Sequence, residues 1–131
     1  GTKVLVGDGP YRKTLERKYR DVVFTGYRHG EDLARAYASG DCFVFPSLTD
    51  TFGVVMIEAM ACGLPVAAFP VTGPIDVVKG GVSGFLHEDL QVACHQAVQL
   101  PQEGVLEYAR SFTWERTTDI LLETLVSTKS V

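Results

Sequence analysis

Two carboxylates, Asp50 and Glu58, frame the stretch SLTDTFGVVMIEAMACG, residues 47 to 63, with seven residues between them. An ionised carboxylate accepts hydrogen bonds and donates none, so an acid pair is poorly matched to phosphate and well matched to neutral hydroxyls. Between the acids the sequence predicts a helix start, with Asp50 or Thr51 as the N-cap. Phe52, Gly53, Val54 and Val55 then fall in the first turn, where N–H groups lack intrahelical partners and the helix dipole is positive. Such a turn attracts anions, and the missing side chain at Gly53 would let a phosphate approach the backbone. Glu58 lies among Val55, Met56, Ile57, Ala59 and Met60, company in which a buried charge is costly without a partner. The joint pattern points to a phosphate flanked by sugar hydroxyls. Two plainer readings stand beside it: Asp50 as a cap only, and Glu58 as a partly buried acid paired with a lysine.

Other chemistry is weaker. A dinucleotide fingerprint beginning at Gly7 of GDGPYR requires glycine at position 12, where Arg12 stands, so Gly7 and Gly9 indicate a tight turn or a close backbone approach. His29, His87 and His95 have no metal-ligand spacing, and Cys42, Cys62 and Cys94 form no CxxC pair; free, buried thiols in a reducing compartment are expected. Arg12, Lys13, Arg17, Lys18 and Arg20 are interleaved with Glu16 and Asp21, which reads as a solvated helix face. With a net charge of −4 over 131 residues, a nucleic-acid partner is not expected. No apolar run approaches the roughly 20 residues that span a bilayer.

The elements that must position these residues alternate. KVLVGDG, VVFTG, CFVFP and PVAAF are short apolar runs bounded by glycine or proline, separated by YRKTLERKYR, EDLARAYASG and FGVVMIEAMACG. The cycle predicts an α/β fold, a Rossmann-like domain whose mainly parallel sheet is covered by helices on both faces. Ligands of such sheets bind at the carboxyl ends of the strands. GVSGFL adds a further short strand. The chain then turns helical, through DLQVACHQAVQL to a capped final helix in TWERTTDILLETLVSTK. Residues 1 to 131 are read as a single domain.

PSLTDTFGVVMIEAMACGLPVAAFPVTGPIDVV resembles the donor-binding half of the retaining GT-B glycosyltransferases of family 4, the glycosyl transferases group 1. Their hallmark, two acids separated by seven residues and then Ala-x-Ala-x-Gly-x-Pro-Val, is met by Asp50, Glu58, Ala59, Ala61, Gly63, Pro65 and Val66. The resemblance extends to VLVGDGP, VVFTGY, LARAYASGDCFVFPS, GGVSGFL and ARSFTWE, and so over nearly the whole chain.

It implies a C-terminal nucleotide-sugar-binding domain of an enzyme that transfers a hexose from a UDP- or GDP-linked donor to a lipid, glycan or small-molecule acceptor. Glu58 would hold the ribose hydroxyls and Asp50 those of the donor sugar. The backbone from Thr51 and Phe52 through Gly53, Val54 and Val55 would hold sugar and diphosphate. Tyr27 would lie beside the base and Gly7 near the nucleotide. No cofactor and no metal are expected.

Two departures bear on this. The family usually places glutamate at the first acid, where this chain has the shorter Asp50. Its diphosphate-binding arginine and lysine precede the strand that opens this chain, and its N-terminal acceptor domain is not within these residues. These 131 residues are therefore expected to be inactive alone, with the missing domain as their partner. A cytoplasmic setting is expected, any contact with the inner membrane lying in the missing part. A sugar-nucleotide epimerase, a phosphorylase-like enzyme and a stand-alone nucleotide-binding or interaction module are the competing readings.

Overall fold

The computed structural model describes residues 1–49, 53–113 and 115. The chain divides into two compact units, Gly1–Ser39 and the residues from Gly40 onward.

In the first unit β1 (Lys3–Val6), α1 (Arg12–Lys18), β2 (Val22–Gly26) and α2 (Gly30–Ala38) follow in order. The strands pair in parallel with Lys3 opposite Val22, Val4 opposite Val23 and Leu5 opposite Phe24. The right-handed crossover expected of such a pair supplies α1. Arg12, in the first turn of α1, bonds Asp8 at 3.2 Å and Glu16 at 2.8 Å. A surface pair between Lys3 and Asp21, 2.7 Å apart, holds the Asp21 carboxyl below its ordinary range through the ammonium hydrogen bond. Exposed pairs of this kind contribute little to stability.

The second unit contains β3 (Phe43–Phe45), α3 (Val54–Ala61), β4 (Val66–Ala68), α4 (Pro74–Val77), β5 (Gly84–Leu86), α5 (Leu90–Ala97) and α6 (Gln102–Ala109). Its three strands lie in the order β3-β4-β5, all parallel, with Val44, Ala67 and Phe85 in register across the sheet. The central strand β4 is buried at every residue. Because successive side chains point to opposite faces, Val66 and Ala68 enter one core with Phe45, Met56, Met60, Val77, Val105 and Ala109. Ala67 enters another with Ala93 and Ala97. Helices α3 and α6 thus cover one face and α5 the other, as the apolar runs predicted.

The strands fall where the sequence placed them but form two sheets where one was expected. Apolar periodicity marks which runs are strands and carries no information on which strands pair. The helical region after β5 is broken at Pro101, which occupies the N-cap position of α6. Apart from Thr113 and Glu115, the expected final helix lies outside the described residues.

Helix α6 is anchored through Tyr108. Its hydroxyl donates to the Val77 carbonyl at 3.0 Å and its ring meets Phe112 edge-on at 5.4 Å. Burial pushes the Tyr108 phenol above its ordinary value of 10.0. The neutral phenol is the form the fold favours, so its contribution is complete below pH 10 and lost as pH rises through the raised value. Urea unfolding should find Tyr108→Phe about 0.5–1.5 kcal/mol less stable near neutrality, with the difference shrinking above pH 10. A difference independent of pH would dissociate the hydroxyl from this role.

Candidate functional site

Because β3, β4 and β5 are parallel, the helix that follows each strand begins at the same carboxyl edge of the sheet. At that edge the helix starts differ. The first amides of α5 are met by Asp89, whose Oδ1 accepts from the Gln91 N–H at 2.8 Å. Those of α4 are taken by the backbone: Ile75 N–H bonds Val71 O at 3.2 Å and Asp76 N–H bonds Gly73 O at 3.1 Å. Among the described residues helix α3 has no side-chain cap hydrogen bond, its N-cap being Gly53; only the Met56 N–H is met there, by the Gly53 carbonyl at 2.9 Å. Its first turn, Val54 and Val55, is exposed, at 58% and 39%. An α-helix leaves the N–H groups of that turn without intrahelical acceptors.

Gly53 shapes this start, and differently from the expectation. It is the N-cap of α3, one residue outside the helix, with φ 68° and ψ 60°. The expected caps Asp50 and Thr51 lie, with Phe52, outside the described residues. The space a side chain would fill at Gly53 is not open to a ligand, since a Cβ there would fall on Met56 Cε and within 3.6 Å of Phe45 Cζ. Glycine is favoured there by the left-handed backbone, while the Met56 Cε that a Cβ would meet is the movable end of a flexible side chain.

Glu58 also departs from the sequence reading. With about 3.6 residues per turn, α3 directs Met56, Ala59 and Met60 into the core and leaves Glu58 exposed. Its apolar neighbours in sequence are not its surroundings in space. A carboxylate on that side needs no compensation for burial.

In the first unit, Gly7 and Tyr27 are brought together at the ends of β1 and β2. The Gly7 N–H bonds the Gly26 carbonyl at 2.9 Å, and a φ of 132° explains glycine at position 7. Tyr27 follows directly, 67% exposed, its ring stacked on His29 at 6.1 Å and 18°. Sequence reading did not associate His29 with Tyr27; the Tyr-x-His spacing just past a strand was the available signal. A shallow depression of about 490 Å³ runs beside α1, lined by Asp8, Gly9, Pro10, Arg12, Lys13 and Glu16. Arg12 there is already paired with both acids, as a solvated face would be. Among the described residues no cluster of three or more His, Cys, Asp or Glu side chains could hold a metal, and no helix is long and apolar enough to cross a membrane.

A parallel α/β unit with a helix N-terminus at the strand ends is one arrangement of glycosyltransferase domains, and the comparisons agree. Residues 2–100 match the family model described as glycosyl transferases group 1, and the chain belongs to that family. It is 46% identical over 86 residues to a sulfoquinovosyl transferase of Arabidopsis thaliana, covering 62% of this chain and 17% of that one. It is 46% identical over 83 residues to a GDP-mannose-dependent alpha-mannosyltransferase of Corynebacterium glutamicum, covering 63% of this chain and 20% of the relative. Among solved structures, Anabaena HepE in complex with UDP-glucose superposes with a TM-score of 0.72 and 28% identity, over 96% of this chain and 41% of that chain. The chain thus spans less than half the length of each of these proteins.

Replacing Gly53 by alanine should cost about 1–3 kcal/mol through the left-handed backbone, read as a fall in the urea midpoint. A neutral result would show that the backbone at position 53 relaxes without cost.

Proposed function

We propose that this chain is the donor-binding part of a retaining glycosyltransferase that moves a hexose from a UDP- or GDP-linked sugar to an acceptor. The observation that carries the reading is the start of α3, a helix end at the carboxyl edge of a parallel sheet with no side-chain cap among the described residues, followed by the exposed Glu58. In the proposal the amides from Phe52 to Val55 face the diphosphate, Glu58 accepts from the ribose hydroxyls and Asp50 from those of the sugar. For Gly7 and Tyr27 the proposed nucleotide contacts rest on the resemblance, supported by the exposure of the Tyr27 ring. Neighbouring structures support a nucleotide-sugar ligand, HepE having been solved with both UDP-glucose and UDP. The GDP-mannose dependence of the Corynebacterium relative keeps GDP beside UDP.

The chemistry follows from charge. As the glycosidic bond breaks, negative charge accumulates on the departing diphosphate while an acceptor hydroxyl approaches the same face of the sugar. Preorganised N–H donors stabilise that charge, and losing one such donor typically costs on the order of 10²–10³ in rate. No metal is invoked, so the helix-end amides carry this load together with cations and an acceptor site that the proposal places outside these residues.

Calorimetric titration of the 131-residue chain with UDP, GDP and ADP should find weak binding to one nucleotide. Glu58→Ala should lower that affinity about 10- to 100-fold, the loss of charged hydrogen bonds, while Glu107→Ala on α6 leaves it unchanged. Equal affinity in Glu58→Ala would end the ribose assignment. A coupled assay for released diphosphate nucleotide should detect no turnover of UDP-glucose or GDP-mannose by the chain alone. Measurable turnover would contradict the division of labour proposed here.

A further inference from the structure

Fifty-one residues of sequence separate Cys42 from Cys94, yet the second unit packs both against one buried alanine cluster, where each thiol perturbs the other. The alternation along β3 places Cys42 on the same side as Val44, which is in register with Ala67. That is the face covered by α5. Ala67, Ala93 and Ala97 are completely buried there, and residues this small let the helix lie close to the strands. Cys42 and Cys94 both pack against that alanine cluster. All three cysteines are free and only partly buried, where burial was expected, so an oxidant can reach them. Cys62 lies elsewhere, at the C-cap of α3.

We propose that Cys42 and Cys94 form an oxidative modification site, a vicinal thiol pair in space that closes to a disulfide when a hydroperoxide reaches it. The neighbouring Cys42 thiol acts against the cost of burial and favours negative charge on Cys94. Burial pushes Cys42 up to about 12, so it remains a thiol at neutral pH, and burial raises Cys94 as well. The more weakly opposed thiolate, Cys94, attacks a peroxide oxygen; the O–O bond breaks, leaving Cys94 sulfenic acid and a hydroxide that leaves as water with the thiol proton. The Cys42 sulfur then attacks the Cys94 sulfur, the S–O bond breaks, and the departing hydroxide takes the Cys42 proton as a second water. Two thiols are oxidised by two electrons in all, and the peroxide is reduced by the same two. The bond ties α5 to the entry of β3, closing a loop of about fifty residues across the sheet face. A cross-link over such a loop is expected to raise the melting temperature by about 10 °C.

The 131-residue chain, titrated with hydrogen peroxide, should lose the mass of two hydrogens with no change in oligomeric state. Peptide mapping after alkylation should find Cys42 joined to Cys94 and Cys62 alkylated, and dithiothreitol should restore the original mass and melting temperature. In Cys42→Ser, dimedone should trap a sulfenic acid at Cys94. The wild-type map needs no variant to fold, and it decides the matter. A disulfide that includes Cys62, an intermolecular product, or sulfinic acid at either residue without a Cys42–Cys94 link would overturn the proposal.

Discussion

A parallel sheet buried on both faces leaves its polar business to its edges. In the second unit the central strand Val66–Ala68 has no exposed residue, so neither face of that strand offers a surface on which a ligand could rest. Each strand runs the same way, and each following helix must therefore begin at the carboxyl edge. The positive ends of α3, α4 and α5 are gathered there by topology alone. What distinguishes them is how their first amides are occupied, and only small sequence differences decide it: Asp89 before α5, Pro74 opening α4, and Gly53 before α3. The candidate site is thus less a built cavity than a helix end which, among the described residues, has neither the side-chain cap of α5 nor the Ile75–Val71 turn bond of α4.

Much of this was legible in the sequence. The five strands coincide with the five apolar runs because each run is short and rich in Val, Phe or Ala, the first four being bounded by glycine or proline. The two-faced covering followed from the absence of polar alternation in those runs. Other features were not legible, for physical reasons. Glu58 reads as a buried acid when its neighbours are counted along the chain, but a helix sorts residues by angle, and its angle is outward. Gly53 reads as an opening for a ligand, but its left-handed backbone already favours glycine and the space beside it is taken by Met56. The pairing of strands into two sheets depends on contacts between distant residues that no local pattern records.

The family resemblance and the geometry inform different parts of the site. The acid motif located α3 and its flanking residues. The structure then assigned their environments, exposing Val54, Val55 and Glu58 and burying Gly53. The stacking of Tyr27 on His29 adds an aromatic surface that the motif did not contain. The shared packing of Cys42 and Cys94 on the alanine cluster has no counterpart in any motif, since it arises from the closeness of α5 to the sheet.

The family match ends at residue 100, but the hydrophobic core does not. Val105 and Ala109 belong to the same buried cluster as Met56, Met60 and Val66, and the Tyr108 hydroxyl reaches back to the end of α4. Helix α6 is therefore the lid of the core on which α3 is seated, and the recognisable family segment is shorter than the cooperative unit that keeps it in shape. Boundaries drawn for expression or domain exchange at the limit of similarity would open the floor beneath the candidate site while leaving every motif residue in place.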